Sequence, residues 1–517
     1  MAGEGTIIPI STKPGVQRDG TMFDSDAYVD AVWTRWVAGR PRKIGGYRQM
    51  TDDYSGPIRQ LYLRSIGEQF AIFAGSSSKL EVGYFSKSGF GSGVSDITPS
   101  GFAADENNMW QMDGMFDPTG ANAPLLFAIA TPSLGNTGIE TNGIIYYGQV
   151  GSLSAFAALT DAPEVSGGLV VLHPYLFAYG NNGYVAWSDA GNPTVWPGSA
   201  TPGDAGSANI TENKIIRGLA FTGGVSASPG GLFWSLDKLH RASYVGGTEI
   251  FRFDHIGDAS LIGADAVVEF NGLYYWVEHD RFCMYNGTIM EIPNTMNMDF
   301  FFENINNNQH QKVIGFKINR YGEIGWMFCV GDATEPNWAI IYNTRQEIWY
   351  DTPLPEGGRS AVINTSVFQY PIWAGIPRPS ETNYPLWQHE LGYDKIVGSR
   401  TEAIRSYFET SMISLASEGL LQQGWSGKDE NTLVFRLEPD FIGSGDMNVK
   451  VIARSTPQGE DTSFISKNFS METDFIDFGQ YDERIWRLGF ESNSQGGTYK
   501  MGHPLIHVKQ GGGRINR

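Results

Sequence analysis

One alternation of apolar and polar segments returns along most of this chain. From about residue 55 to 395, an apolar run of strand length is followed by a turn and a second run ending in an aromatic residue. Aromatic residues about 50 positions apart on average mark the first runs: Phe73, Phe127, Phe177, Trp234, Trp276, Trp326 and Trp373. Repeats of this length with about four strands each are typical of a β-propeller. The pattern predicts an all-β, irregular β-propeller-like body of six or seven blades, and unrelated hairpins in a sandwich are the alternative.

The segment before this body, residues 1–54, is predicted to be an extended N-terminal arm. Proline and glycine interrupt it at short intervals, and only Asp26–Val37 has the spacing of a short helix. Trp33, Trp36 and Val37 require burial, so we expect the arm to pack on the body or on another chain. We also expect the body to fold without it.

Two further elements are predicted beyond the repeats. Residues 295–310 read as a helix inserted between blades, with Asn294 and Thr295 as caps and one apolar face. After about residue 400 the apolar positions alternate with period two, as in Leu433, Phe435 and Leu437. Residues 401–517 are therefore predicted to form a C-terminal antiparallel β-sandwich-like domain, which leaves 55–400 for the propeller-like body.

Composition narrows the function classes. The 64 glycines, 13% aromatic and 18% charged residues argue against disorder and against a coiled coil. The formal net charge of the chain is −19, whereas residues 1–60 alone have a net charge of +1. An acidic chain is poorly suited to binding nucleic acid tightly. We expect two buried free thiols, Cys283 and Cys329, no signal peptide, no membrane-inserted segment and synthesis in a reducing cytosol.

No catalytic or metal-binding motif is apparent. The eight histidines and two cysteines lack the spacing of a zinc site, and there is no nucleophile elbow or phosphate-binding loop. The acidic pairs Glu278 with Asp280 and Asp482 with Glu483 are read as surface turns rather than as paired catalytic acids. We therefore expect no catalytic residues, no cofactor, no metal ion and no enzymatic activity.

One basic stretch stands out inside the arm. Five cations lie within 14 residues and have aromatic neighbours: Arg35, Arg40, Arg42, Lys43 and Arg48. Arginine combined with aromatic residues is typical of interface hot spots. The stretch is either a docking strap for an acidic partner or nucleic acid, or a segment pinned to the acidic body of its own chain. The candidate partner-binding residues are Trp33, Trp36, Arg40, Arg42 and Lys43.

Three stretches resemble one family of viral proteins. The opening GVQRDGTMFDSDAYVDAVWTRWVAGRPRKIGGYR, the hairpin YVAWSDAGNPTVW and the closing YDERIWRLGFESNSQGGTYKMGHPLIHV resemble the tail-nozzle, or packaged-DNA-stabilisation, proteins of short-tailed bacteriophages. The order of arm, propeller-like body with a helix insertion, and C-terminal β domain matches as well. The chain is longer than some relatives.

The resemblance implies a structural role in the virion tail, after synthesis in the host cytoplasm. Such proteins form a ring, usually of six copies, below the portal and adaptor rings. They extend the DNA channel, help to retain the packaged genome, and carry tailspikes or fibres and a plug or needle. DNA passes through the lumen without specific binding. The alternative is a secreted propeller that binds glycans or a sialidase-like hydrolase.

Overall fold

The N-terminal segment consists of short strands. The computed structural model describes residues 6–23, 25–89, 91–116, 124–132, 143–221, 229–364, 369–378, 381–414 and 430–513. The first strands are Thr6–Pro9 (β1), Lys13–Val16 (β2), Ala27–Tyr28 (β3), Asp30–Val32 (β4), Thr34–Val37 (β5), Arg40–Lys43 (β6) and Tyr47–Tyr54 (β7). The predicted helix at Asp26–Val37 is wrong. Trp33 and Ala38 have φ angles of +52°, and the short strands between such bends pair with distant strands instead.

Six four-stranded antiparallel sheets follow one another, and a seventh blade completes the propeller. Blades one to three contain Ile58–Ile66 (β8), Gln69–Ser76 (β9), Leu80–Ser86 (β10), Gly91–Asp96 (β11), Asn108–Phe116 (β12), Pro124–Pro132 (β13), Ile145–Gln149 (β14), Ala157–Ala158 (β15), Gly168–Leu172 (β16), Tyr175–Tyr179 (β17), Tyr184–Trp187 (β18) and Gly206–Asn209 (β19). Blades four to six contain Ile215–Ala220 (β20), Gly230–Ser235 (β21), Lys238–Tyr244 (β22), Phe251–Asp258 (β23), Val268–Phe270 (β24), Leu273–Val277 (β25), Phe282–Tyr285 (β26), Ile289–Glu291 (β27), Ile314–Ile318 (β28), Glu323–Phe328 (β29), Trp338–Asn343 (β30) and Ile348–Pro353 (β31).

The seventh blade closes the propeller with a strand from the N-terminal segment. Its first three strands are Arg359–Ile363 (β32), Ile372–Gly375 (β33) and Tyr384–His389 (β34). Its fourth strand is β7, which pairs antiparallel with β34. On its other side, β7 pairs in parallel with the strand Asp394–Val397, so the sheet of this blade continues to six strands. The last blade is thus built from both ends of the propeller sequence, and the circle is held by a backbone ladder.

The aromatic residues that mark the repeats all occupy the same place in the fold. Each of the seven lies in the second strand of its blade, and each is buried. The prediction of an all-β fold with a propeller-like body is confirmed, and the blade number is seven. The two cysteines, Cys283 and Cys329, are buried as predicted.

The predicted helix insertion lies between the fifth and sixth blades. It is the helix Met298–Asn304 (α1), accompanied by the 3-10 turns Asn307–Lys312, Asn181–Gly183 and Pro355–Gly357 elsewhere in the propeller. The cap differs from the prediction, because the carboxylate of Asp19 accepts the backbone N–H groups of Asp299 and Phe300 at 3.0 and 2.9 Å. A carboxylate satisfies unpaired donors at a helix start and complements the helix dipole. The N-terminal segment therefore fixes the insertion.

The described strands of the C-terminal domain pair antiparallel, except that its first strand pairs in parallel with β7 and extends the sheet of the seventh blade. Its strands are Asp394–Val397 (β35), Arg400–Ala403 (β36), Ser406–Glu409 (β37), Ile413–Ser414 (β38), Glu430–Glu438 (β39), Phe441–Ser444 (β40), Met447–Arg454 (β41), Thr462–Phe469 (β42), Ile476–Glu483 (β43), Ile485–Ser492 (β44), Thr498–Met501 (β45) and Leu505–Gly513 (β46). Three of its sheets take strands from the N-terminal segment: β1 pairs with β46, β4 with β37, and the β5–β6 hairpin with β45. The arm is thus docked on its own chain.

One apolar core joins the C-terminal domain to the propeller. The core includes Val449, Leu488 and Phe490 from the C-terminal strands and continues through Trp36 to Tyr350 in the sixth blade. Burial of such side chains stabilises folds by about 1.5–3 kcal/mol each. The N-terminal segment therefore lies between the two β units and fastens one to the other.

Candidate functional site

The innermost strands of the seven blades enclose a central channel. Its cavity is about 430 Å³ and is lined by residues from every blade. Six charged side chains line it in equal numbers of each sign: Arg59, Arg217, Lys317, Asp113, Asp265 and Glu269. Concave, partly polar cavities at propeller centres are the usual places for ligands in such folds.

Ion pairs between blades hold several of these side chains. Arg217 contacts Asp265 at 3.1 Å, and the Lys317 ammonium contacts the Glu269 carboxylate at 2.9 Å. Arg59 donates two hydrogen bonds to Glu335, at 2.7 and 2.8 Å. Paired contacts of this kind fix the positions of the charged groups. The resulting ion pairs connect one blade to another.

Two carboxyl groups lie close to the Arg217 guanidinium. Asp113 accepts the backbone N–H groups of Gly114 and Val171 at 2.8 and 2.9 Å, which joins the second blade to the third. Burial raises the pKa of Asp113 and of Asp265, while the charge of Arg217 opposes the shift in both. Carboxyl groups with raised pKa in a cleft are able to exchange protons with a bound molecule.

Polar atoms in the channel are incompletely satisfied. The network of Gln111 and Tyr179 is complete: the Gln111 amide donates to the carbonyls of Gly167 and Ile216, and the Tyr179 hydroxyl donates to Gln111. By contrast, three buried side-chain atoms in the described channel lining have no hydrogen-bond partner, namely Nε of Arg59, Oε1 of Gln60 and Nε of Arg217. Buried polar atoms without partners are costly, and a bound polar molecule would satisfy them.

The basic N-terminal stretch is the second candidate site, and the structure divides its residues into two groups. Trp33, Trp36 and Lys43 are buried in the interior of their own chain. The Trp33 indole donates to the Gly45 carbonyl at 3.1 Å, and burial lowers the pKa of Lys43 to about 8. These three side chains are therefore enclosed by the N-terminal segment and its neighbours.

The other two candidates face outward. Arg40 is exposed and Arg42 half-buried, and both lie on the same face of β6, since they are two residues apart in a strand. Arg42 donates to the Tyr393 hydroxyl at 3.4 Å. Of the predicted partner-binding residues, Arg40 and Arg42 are placed where another molecule can reach them.

The structural importance of Arg35 could not be read from the sequence. Its guanidinium forms two hydrogen bonds with the Glu390 carboxylate at 2.8 and 2.6 Å, and contacts Glu323 at 3.1 Å. It also lies 3.9 Å from the centre of the Tyr321 ring. The sequence identified Arg35 only as a member of the basic cluster. The two acidic partners of Arg35 are almost 300 residues or more away in the sequence, and no local motif identifies them.

The part of the chain that the structure describes has neither a metal-binding cluster nor a membrane-spanning helix. No group of three or more His, Cys, Asp or Glu side chains is arranged there to hold a metal ion. Within the same residues, no helix is long and apolar enough to cross a membrane.

Comparison with known proteins identifies no family for this chain. No family model matches, and no curated protein matches. Solved structures of an exo-beta-1,3-galactanase from Phanerochaete chrysosporium, with beta-1,3-galactotriose and with galactose, match at TM-scores of 0.29 and 0.28. Their sequence identities are 9% and 8%, over 90% of this chain and 100% of theirs.

These matches correct one expectation. The sequence led us to expect no enzymatic activity, and the matched structures are glycoside hydrolases, so that expectation is contradicted and not retained. At TM-scores below 0.5, the similarity assigns no activity to this chain. The fold and site define a seven-bladed β-propeller protein with a polar channel and a C-terminal β domain interlocked with the N-terminal segment.

Proposed function

We propose that this chain is a structural subunit of the tail of a short-tailed bacteriophage. In this proposal, copies form a ring below the portal and adaptor rings, extend the DNA channel and carry spikes or fibres and a plug or needle. The proposal is supported by the positions in the fold of the stretches that carry the resemblance. The opening and closing stretches that resemble tail-nozzle proteins are more than 400 residues apart in sequence, and they pair directly in space.

The two stretches meet in two sheets. Strand β6 of the opening stretch pairs with β45 of the closing stretch, and the hydroxyls of Thr34 and Tyr499 form a hydrogen bond of 2.7 Å between them. In the second sheet, β4 of the opening stretch and β44 of the closing stretch pair with opposite sides of β37, while β1, which precedes the opening stretch, pairs with β46. Strands β44 and β45 lie within the closing stretch, which runs from Tyr481 to Val508, and β46 begins in it. Two stretches that resemble one family and build one unit are better explained by a shared architecture than by chance similarity of either alone.

The glycines and charges of the opening stretch have structural reasons. A Cβ on Gly15 would lie 2.5 Å from the Trp349 carbonyl, and one on Gly46 would lie 2.2 Å from the Asp394 carbonyl. The residue at Gly15 also has φ of +100°, which only glycine adopts readily. Arg18 donates to the buried Asp351 carboxylate at 3.0 Å. The opening stretch is thus a fitted connector between the propeller and the C-terminal domain.

The test is assembly with the other proteins of a virion. Mass spectrometry of purified virions from the source phage, and electron microscopy of the full chain mixed with its portal and adaptor proteins, are the measurements. We expect the chain in virions and a ring added below the adaptor. Absence of the chain from virions, with no ring on the adaptor, would contradict the proposal.

A second candidate function is favoured by the channel. Asp113 and Asp265 have raised pKa values beside three unpartnered buried polar atoms, which suits binding or hydrolysis of a neutral glycan. The experiment compares glycan turnover and binding by the wild-type chain and by Asp265→Asn, with Asp258→Asn, at an exposed position, as the control. Turnover that disappears only in Asp265→Asn would favour this function over the structural one.

A further inference from the structure

A group of cations without acidic partners lies where the β5–β6 hairpin meets the turns of the sixth blade. We call it the cationic patch, and its members are Arg40, Arg42, Arg320, Arg345 and Lys500. Among the described residues, none of the five forms an ion pair with a carboxylate. The chain has a net charge of −19, so its composition does not lead one to expect a surface with five unpaired cations.

The patch is held together by one aromatic ring and one strand pair. The guanidinium carbons of Arg42 and Arg320 lie 5.7 and 5.3 Å from the centre of the Tyr321 ring. Lys500 is the cross-strand partner of Arg42, so the two side chains share a face of the sheet.

Arg345 is fixed to the same turn. Its guanidinium donates to the carbonyl oxygens of Arg320 and Asn319, both at 3.1 Å. A nearby hydrogen bond from the Gly39 N–H to the Gln346 side chain, at 2.9 Å, brings the Arg40 hairpin to this turn. The five cations therefore belong to one surface.

The patch creates a positive local field. The pKa of Tyr393 is lowered: burial raises it, but the hydrogen bonds with Arg42 and Thr498 and the charges of Arg42 and Arg320 together outweigh burial. Arg35 also contacts Tyr321, but its charge is matched by Glu323 and Glu390. The unmatched charge thus belongs to the outward-facing residues of the patch.

A cavity opens beside the patch. It is about 550 Å³, and its walls include Ile318, Ile363, Pro371 and Tyr370 together with Tyr321 and Arg320. Glu390 also lines it, with its carboxylate held by Arg35. A cavity of this size, whose walls combine apolar and polar side chains with the cations Arg320 and Lys317, admits protein side chains that end in carboxylates. The backbone of a DNA duplex is too wide to enter it.

We propose that the cationic patch and this cavity bind an acidic surface of a second copy of the same chain. Charge complementarity supports this partner, since residues outside the first 60 carry the whole acidic excess. The patch cannot pair with itself, because like charges would then face each other. The contact must therefore join two different surfaces, and repeated contacts of that kind close into rings. The inference rests on the proposed ring function.

The test is self-association of the full chain measured by sedimentation velocity over a range of protein concentrations. We compare the wild type with Arg42→Glu/Arg320→Glu, and use Lys87→Glu, an exposed lysine on the first blade, as the matched control. We expect the double variant to associate roughly 100-fold more weakly, about tenfold per reversed charge, and the control to match the wild type. Unchanged thermal unfolding shows that the variants are folded.

Salt supplies a second readout. In about 1 M salt, where the Debye length is about 3 Å, wild-type association is expected to weaken as well. A wild type that stays monomeric at every concentration, or a double variant that associates normally, overturns the inference. A double variant that associates normally but loses affinity for duplex DNA assigns the patch to nucleic acid instead. Presence in virions tests the proposed function separately, so either idea can fail alone.

Discussion

At the scale of single residues, buried charge is concentrated where the N-terminal segment crosses the propeller. Arg35 is almost fully buried and neutralises Glu390 and Glu323. Burial raises the pKa of Glu323 to about 6, even though Arg35 lowers it. Removing one member of a buried pair leaves an uncompensated charge, which is far more costly than losing a surface ion pair. Arg35 is therefore the residue of the basic stretch on which folding depends most.

We predict that Arg35→Met lowers the free energy of unfolding by about 3–5 kcal/mol, because the buried Glu323 and the partly buried Glu390 lose their partner. Urea unfolding followed by tryptophan fluorescence measures it. Arg40→Met, on the exposed end of the same hairpin, is the control and is expected to stay within about 0.5 kcal/mol of the wild type. The loss in Arg35→Met should shrink at acid pH, where Glu323 is protonated. A variant as stable as the control would show that the pair is not structural.

A second residue-scale prediction concerns His389. Its ring is fully buried, and its Nε2 accepts a hydrogen bond from Arg359 Nε at 3.0 Å. Burial and then the charge of Arg359 lower the pKa of His389 well below the usual value, so the folded chain keeps it neutral. Because the unfolded chain gains a proton below about pH 6.5, stability from this group is present above that pH and is lost as the pH falls.

The variant His389→Gln tests this directly. Glutamine keeps an acceptor for Arg359 and does not titrate. Below about pH 6.5, the wild type should lose up to about 1.4 kcal/mol per pH unit more than the variant, measured by urea unfolding at a series of pH values. Burial lowers the pKa of His240 to about 4. This residue is unchanged in both proteins, so its contribution to the pH dependence cancels in the comparison. Parallel pH profiles would contradict the assignment.

At the scale of elements, the propeller is closed by β7, and the C-terminal sheets are completed by β1, β4, β5 and β6. Strands at a sheet edge leave backbone groups unpaired, and an unpaired edge invites aggregation. The N-terminal segment therefore removes an open edge from the seventh blade, and its Trp36 fills the junction of the two units.

We predict that removing residues 1–54 prevents the rest of the chain from folding as a stable monomer. The truncation exposes the edge of β34 and strips three C-terminal sheets of a strand, in contrast to the sequence-based expectation that the body folds alone. Size-exclusion chromatography and thermal unfolding measure the outcome. Removing only residues 1–12, which deletes the edge strand β1, is the control and should leave a folded chain. A folded monomer of residues 55–517 with wild-type melting would refute this role.

The sequence predicted the blades well because each blade repeats a local pattern. The strands that cross between units were missed for a physical reason: pairing of β7 with β34 joins residues more than 300 positions apart, and no local pattern records it. The alternation in β39 was also misplaced. A bulge between Val434 and Arg436 shifts the register, so Val434 is buried where Phe435 was expected. Likewise, the channel charges come from different blades and have no shared spacing.

At the scale of the whole molecule, charge is unevenly divided between surfaces. The cationic patch gathers unpaired arginines near the hairpin, while the rest of the chain carries a large acidic excess. If a neighbouring copy in a ring covers the patch, its cations are buried in the contacts between subunits. Each contact then covers acidic groups of the neighbour together with the cations of the patch, so the acidic excess of −19 per chain remains on the uncovered surfaces, which include the lumen.

We predict that the lumen of the assembled ring is net negative, with Asp and Glu outnumbering Lys and Arg among its exposed residues. DNA carries one charge per about 1.7 Å of its axis, and a basic wall would hold each phosphate as it passed. Repulsion acts within a Debye length of about 8 Å at physiological salt, so it matters most where the lumen is narrowest. An electron-microscopy structure of the ring, with the lumen residues counted, measures this. A lumen lined by Lys and Arg would defeat the prediction even if the ring itself forms, because the acidic excess would then face outward and serve solubility rather than the passage of DNA.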